Sequence, residues 1–115
     1  MDHLAVGVAG ERAALSHYLS LGFEEVARNW RCSFGELDLV VLREDLLVFC
    51  EVKTRRGHGL SYGFDAVTPS KMTKLRRLAE LFLLESNLRP SAVRFDVASV
   101  EMRERPVVTV FADAF

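Results

Sequence analysis

Two stretches of the chain repeat their apolar residues at the spacing of an α-helix. The first runs from about Val8 to Leu21, and Gly22 follows it where a left-handed C-terminal cap belongs. The second opens with the capping residue Thr68 and the first-turn residue Pro69, and Asn87 closes it. Its apolar positions are Met72, Leu75, Leu78, Ala79, Phe82 and Leu83.

Five shorter stretches rich in Val, Leu and Phe are typical of β-strands. They are Phe23–Trp30, Glu36–Leu42, Leu46–Thr54, Val93–Val100 and Pro106–Phe111. A glycine-rich segment, 57–63, predicts a loop between the third strand and the second helix. The order α-β-β-β-α-β-β predicts one α/β domain over residues 1–115. Its mixed sheet would hold an antiparallel hairpin, followed by a helical crossover to a further strand.

The second and third strands form a hairpin with a predictable register. A tight turn at Glu44-Asp45 places Arg43 opposite Leu46, and apolar residues then face apolar residues near the turn. A slip of one residue would move every side chain to the other face, so this register is favoured. The pairs predicted farther from the turn are Asp38 with Glu51, Glu36 with Lys53, and Leu37 with Val52.

Two opposed carboxylates in a buried hairpin need a partner that offsets their repulsion. Directly opposed Cβ atoms lie roughly 4.5–5.5 Å apart, and like charges there are destabilising. Taken singly, Asp38, Glu51 and Lys53 would each be an ordinary polar strand residue. Together they place two hard oxygen ligands beside an amine, which suits Mg²⁺ or Mn²⁺ and a water or phosphate positioned by the lysine. The hairpin therefore predicts a metal-dependent hydrolytic site.

Composition and charge narrow the class of protein. The 115 residues are 50% hydrophobic and 27% charged, which is typical of a soluble globular domain. No apolar run reaches the length of a membrane span, and two cysteines without a Cys-x-x-Cys pattern suit a reducing cytoplasm. The net charge of −1 argues against obligate coating of nucleic acid. However, the segment 53–77 is strongly basic, and it predicts phosphate contacts by Arg55, Arg56, Lys71, Lys74 and Arg77.

Several strings extend the pattern of Asp38 followed by Glu51-x-Lys53. They are Gly10-Glu11-x-x-Ala14, Gly35-Glu36-Leu37-Asp38-Leu39-Val40, Phe49-Cys50-Glu51-Val52-Lys53-Thr54-Arg55, Lys71 and Arg94-Phe95-Asp96-Val97. With these strings the chain resembles the YraN family of small bacterial proteins over nearly its whole length. Cys50 departs from the small aliphatic residue usual there. It points away from Glu51, so we expect it to pack without functional consequence.

The resemblance implies a restriction-endonuclease-like fold, related to the archaeal Holliday-junction resolvases. It also implies a Mg²⁺-dependent endonuclease that acts on structured or branched DNA. Asp38 and Glu51 match the metal-binding pair of such enzymes, Lys53 the catalytic lysine, and Glu11 an additional metal-site acid on the first helix. Lys71 matches more loosely a polar or basic position on the second helix.

Two further expectations follow from the resemblance. Resolvases cut two strands as dimers, which implies a homodimer, and the chain hints at one through the apolar residues Val107, Val108, Val110 and Phe111. The alternative function is a nucleic-acid-binding accessory protein that keeps the fold and does not cleave. The carboxylate pair discriminates between the two, because it would repel a phosphate backbone unless a metal intervened.

Overall fold

The computed structural model of the chain describes residues 3–56 and 68–114 and, in the first helix, the side chains from Ala5 onward. Within these residues the elements are α1 (His3–Ser20), β1 (Glu24–Cys32), β2 (Gly35–Arg43), β3 (Leu46–Arg56), α2 (Pro69–Ser86), β4 (Ala92–Met102) and β5 (Val107–Phe111). The predicted order of elements is confirmed. The loop predicted at 57–63 lies outside the described residues. None of the described helices is long and apolar enough to cross a membrane.

The strands form one mixed sheet in the order β1-β2-β3-β4-β5. β3 and β4 are parallel, and the other three neighbouring pairs are antiparallel. The chain between β3 and β4 contains α2, because parallel neighbours need a crossover connection. This is the arrangement expected for a restriction-endonuclease-like core.

Each helix covers one face of the sheet and buries its own apolar cluster. The α1 cluster contains Ala14, Leu15 and Tyr18, packed on the sheet residues Leu39, Val41, Val48, Cys50, Ala98 and Val100. The α2 cluster contains Leu78, Ala79 and Phe82, packed on Leu37, Val40, Leu47 and Phe49. Cys50 is buried against α1, so the expectation that it packs is confirmed. Val108 and Val110 of β5 also pack on the α1 cluster, which gives the apolar tail a role inside one chain.

Helix α1 begins at His3, earlier than the predicted start near Val8, although two glycines weaken its helical propensity. Val6, one of the added residues, is buried, and such packing offsets the low helix propensity of glycine. At Gly10 the helix lies so close to β3 that a Cβ atom would be 2.8 Å from Cβ of Thr54. A glycine is therefore needed where helix and strand meet, and the contact fixes where the next residue, Glu11, lies relative to β3.

A buried carboxylate ties three parts of the fold together. Asp96 in β4 is completely buried and accepts a hydrogen bond of 2.7 Å from the hydroxyl of Tyr18 in α1. The guanidinium of Arg94 donates two further hydrogen bonds to it, and the backbone N–H of Asp113 donates another. Because a buried charge is costly without such partners, Asp96 holds α1 and the C-terminal residues against β4.

Candidate active site

The ladder between β2 and β3 ends just before the predicted carboxylate pair. Its register runs from Arg43–Leu46 to Leu39–Cys50, as predicted from the turn. The three pairs predicted beyond that point are not part of the ladder. Instead, Asp38 Oδ2 accepts a hydrogen bond of 2.9 Å from the backbone N–H of Val52. At the site, a side chain rather than backbone pairing therefore joins the two strands.

The predicted pair of Leu37 with Val52 is wrong, because the two side chains lie on opposite faces of the sheet. In a regular strand, residues two apart face the same side of the sheet. Here Leu39 and Val52 pack with the α1 cluster, whereas Leu37 packs with the α2 cluster. The alternation therefore breaks at Asp38, where the side chain turns toward the backbone of β3. Side-chain periodicity could not reveal this break, because it assumes a regular pleat.

The carboxylates of Asp38 and Glu51 line one small cavity of about 10 Å³ between the sheet and α2, which we call the inner cavity. Burial is the main cause that raises the pKa of Asp38 to about 7, and the negative charge of Glu51 is the second. The charges of Glu11 and Glu36 act in the same direction, while the hydrogen bond from Val52 opposes them. The inner cavity thus concentrates negative charge where water can do little to screen it.

Lys53 contacts Glu51, one of the two carboxylates, from the same strand. Its Nζ lies 3.2 Å from Glu51 Oε1, and both side chains are largely buried. Burial by itself lowers the pKa of Lys53, but the attraction of the Glu51 carboxylate outweighs it, so the pKa is raised. The nearby positive charge of Lys53 lowers the pKa of Lys71.

The N-terminus of α2 brings further cations to the site. Thr68 caps the helix by accepting a hydrogen bond of 3.2 Å from the N–H of Lys71, and Pro69 opens it, as predicted. A second cavity of about 230 Å³ lies between the β1–β2 hairpin and this helix. We call it the outer cavity, and its lining residues are Gly35, Glu36, Glu51, Lys71, Lys74, Leu75 and Leu78. Glu51 borders both cavities.

Glu11 affects the site electrostatically, because its negative charge raises the pKa of Asp38. Its Oε1 accepts a hydrogen bond of 3.1 Å from Asn29 Nδ2. Among the residues that the structure describes, no three His, Cys, Asp or Glu side chains are grouped closely enough to hold a metal ion together. The three-acid site expected from the resemblance is thus not preassembled. The Asp38–Glu51 pair still fits Mg²⁺, which takes one or two protein carboxylates and keeps waters and substrate phosphates as its other ligands.

The remaining predicted phosphate contacts lie at the end of β3 and along α2. Arg55 is partly buried and Arg56 is exposed, at the last two positions of β3. Arg77 is exposed on α2, and its guanidinium carbon lies 5.8 Å from the centre of the Phe34 ring. Sequence reasoning missed Phe34 and Asn29. In the sequence, Gly35 indicates a turn beside Phe34. The spacing of apolar residues does not indicate which side chains of that turn face α2.

Residues 10–100 match the family described as "Uncharacterised protein family UPF0102". The chain belongs to this family. It is 46% identical to a UPF0102 protein of Nocardia farcinica over 109 residues, which are 93% of this chain and 86% of the relative. It is 43% identical to a UPF0102 protein of Rhodococcus opacus over 115 residues, 98% of both chains. UPF0102 is the YraN family, so the resemblance is confirmed.

A third relative extends the same likeness. A UPF0102 protein of Parafrankia sp. is 49% identical over 100 residues, which are 87% of this chain and 84% of the relative. The family match includes α1 from Gly10, the whole hairpin and α2. Every residue that lines the inner or the outer cavity of this UPF0102 protein therefore lies inside the matched region.

Proposed function

We propose that this UPF0102 protein is a metal-dependent endonuclease that hydrolyses phosphodiester bonds in structured or branched DNA. One observation carries the proposal: Asp38 and Glu51 share a buried cavity, and Lys53 contacts Glu51 at 3.2 Å. A fold gains no stability from crowding carboxylates in this way. Perturbed acids with a nearby amine in a cleft are typical of a functional site.

Each residue of the site has a distinct role in this proposal. Asp38 and Glu51 would hold Mg²⁺ or Mn²⁺, with Glu11 adding negative charge from α1. When bound, such a cation lowers the pKa of a water and stabilises the charge of the leaving oxygen. Lys53 is held in place by Glu51, and its ammonium would orient the scissile phosphate or the attacking water.

The cations around the site would hold the nucleic-acid backbone. Lys71 and Lys74 line the outer cavity, and Lys71 lies in the first turn of α2, where the positive end of the helix dipole favours anions. Arg77 continues the basic face of the helix, and Arg55 and Arg56 extend it from β3. Contacts to phosphates position a substrate without reading its sequence, which suits an enzyme that selects the shape of DNA.

Cleavage is favoured over accessory binding by the cost of the acidic pair. A protein that only binds DNA has no use for two buried carboxylates beside its phosphate-binding lysines, because they repel the backbone. Asp38 is also costly to the fold, since burial and Glu51 raise its pKa to about 7. A divalent cation would offset both costs at once.

The experiment that tests the proposal combines metal binding with cleavage. Calorimetry with Mg²⁺ and Mn²⁺ would be run on the wild type and on Asp38→Asn, followed by cleavage assays on four-way, forked and continuous duplex DNA. We expect metal-dependent cutting by the wild type and a loss of at least about 100-fold in Asp38→Asn and in Lys53→Met.

The matched control is Glu44→Gln, which neutralises an exposed acid at the other end of the same hairpin and should leave cutting unchanged. If neither cation binds at millimolar concentration, even with DNA present, or if Asp38→Asn cuts as well as the wild type, the nuclease proposal is wrong. DNA binding without any cutting would assign the protein to the accessory class.

A further inference from the structure

The turn between β1 and β2 presents an exposed aromatic ring beside the outer cavity. Phe34 is 56% exposed, and among the exposed large hydrophobic side chains of the described residues it alone is aromatic. The next residues along the chain, Gly35 and Glu36, line the outer cavity with Glu51 and Lys71. Phe34 therefore lies next in sequence to residues of the site where the phosphate would bind.

Contacts with α2 hold this turn in place. Gly35 has a φ of +145°, a conformation that side chains other than glycine rarely adopt. A Cβ atom on it would lie 3.1 Å from Cε of Lys74, so the lysine packs directly over the turn. The guanidinium of Arg77 faces the ring of Phe34 at 5.8 Å. Lys74 thus packs on the turn and Arg77 on the ring, while 56% of the ring residue stays exposed to solvent.

An open aromatic ring among phosphate-binding cations matches the chemistry of an unpaired nucleotide. Stacking of a base on an aromatic side chain contributes about 1–3 kcal/mol and does not depend strongly on which base it is. A base inside a continuous duplex is already stacked on its neighbours. It would have to leave the duplex at a cost of a few kcal/mol. The ring therefore favours bases that are already unpaired.

We propose that Phe34 stacks on an unpaired base next to the phosphate bound at Lys71 and Lys74. The protein would thereby select nucleic acid with a junction between paired and unpaired strands over continuous duplex. The inference rests on the proposed function, because it uses the same phosphate site, and it adds a specificity-determining residue to it.

The test measures binding in an Asp38→Asn background with Mg²⁺ present, which removes one of the two acids that repel the backbone and in which no cutting is expected. Fluorescence anisotropy would measure the DNA affinity of the protein with Phe34 and of its Phe34→Ala, Phe34→Leu and Phe34→Trp variants. The three ligands would be a continuous duplex, a forked duplex with single-stranded arms and a single strand. We expect Phe34→Ala and Phe34→Leu to bind forked DNA about 5- to 100-fold more weakly, because 1.4 kcal/mol is a tenfold change in affinity. Duplex binding should change less than about twofold, and Phe34→Trp should keep the preference for forked DNA.

The matched control is Leu84→Ala, which removes an exposed apolar side chain near the other end of α2 and should alter no affinity. A second readout uses Phe34→Trp in a Trp30→Phe background, which leaves a single tryptophan. Its fluorescence should be quenched by forked DNA and much less by duplex. Phe34 variants that weaken duplex and forked binding equally, or that weaken neither, would overturn the stacking proposal.

The two proposals fail in different ways. If the wild type cuts DNA through Asp38 but the Phe34 variants do not discriminate, only the stacking proposal is wrong. If the Phe34 variants discriminate but no cutting occurs with Mg²⁺ or Mn²⁺, only the nuclease proposal is wrong. If the protein binds none of the three DNA forms, both are wrong.

Discussion

Asp38 is a carboxylate placed where its charge is disfavoured. It lies within the α2 side of the hairpin near Glu51, and its one hydrogen bond from Val52 does not compensate for the burial. Such a residue lowers the stability of the fold whenever it is ionised. In the proposed function, the same property would favour a divalent cation in place of the proton.

The effect of Asp38 on stability should depend on pH. Its folded pKa is about 7, above the ordinary 3.8, so the unfolded chain releases this proton first as the pH rises. Asp38 therefore destabilises the folded state progressively between these values, and fully above them. In chelator, Asp38→Asn should raise the free energy of unfolding by about 1–3 kcal/mol at pH 8 and by much less at pH 4. Urea denaturation at both pH values measures this, and an equal gain at both would contradict it.

The hydrogen bond between Tyr18 and Asp96 should be a major contribution to stability. Burial raises the pKa of Tyr18, so the hydroxyl keeps its proton and donates a hydrogen bond to the buried carboxylate. Tyr18→Phe keeps the ring and should lower the free energy of unfolding by about 1.5–3 kcal/mol, the usual contribution of a hydrogen bond to a charged group. As a control, Glu25→Gln breaks a half-exposed ion pair with Arg28 and should cost less than about 1 kcal/mol. Equal effects in urea denaturation would contradict the assignment.

Among the elements, α1 depends most on a single close contact. Gly10 permits the helix to approach Thr54 of β3, and Glu11 then lies near enough for its charge to raise the pKa of Asp38. The helix therefore contributes to the site through its distance from the sheet. An amphipathic pattern predicts that such a helix packs on a sheet, but it does not predict how closely.

Two glycines of α1 should respond oppositely to the same substitution. Gly10→Ala forces a Cβ against Thr54 and should lower the free energy of unfolding by about 1–3 kcal/mol. Gly7→Ala meets no described atom within 4 Å and should raise it by up to about 1 kcal/mol through helix propensity. Thermal or urea unfolding measures both. Destabilisation by both variants would show that propensity alone does not explain the Gly7 site.

Across the whole molecule, positive and negative side chains are segregated, although the net charge is close to zero. The net charge is only −1, yet α2 and the end of β3 present cations around a buried acidic pair. Local concentration of charge, rather than net charge, governs the attraction of a polyanion. The proposed DNA binding therefore requires only one cationic face, and the low net charge does not oppose it.

DNA binding should therefore depend steeply on salt. If the five predicted cations contact phosphates, the logarithm of the affinity for duplex should fall with the logarithm of salt concentration with a slope of about −4. Lys74→Ala should reduce the steepness by about 1. Arg89→Ala, at an exposed position beyond the far end of α2, should not change the slope. Titrations at several salt concentrations measure it, and equal effects of the two variants would contradict the proposed face.

The sequence alone determined the features that depend on local spacing. The order of elements, the caps of α2 and the register from Arg43–Leu46 to Leu39–Cys50 follow from turn chemistry, capping and alternation, which act over a few residues. The candidate site residues Asp38, Glu51 and Lys53 were found in the same way, because they interrupt apolar strands.

Only the tertiary structure decided the geometry of the site. Asp38 leaves the pleat to accept a hydrogen bond from Val52, and Leu37 changes faces as a result. Asp96 accepts hydrogen bonds from Tyr18 of α1 and from the backbone of Asp113 beyond β5. Phe34, in the turn between β1 and β2, contacts Arg77 of α2. These contacts join residues far apart in the chain. Their energies depend on burial and on close approach, which become defined only when helices and sheet pack together.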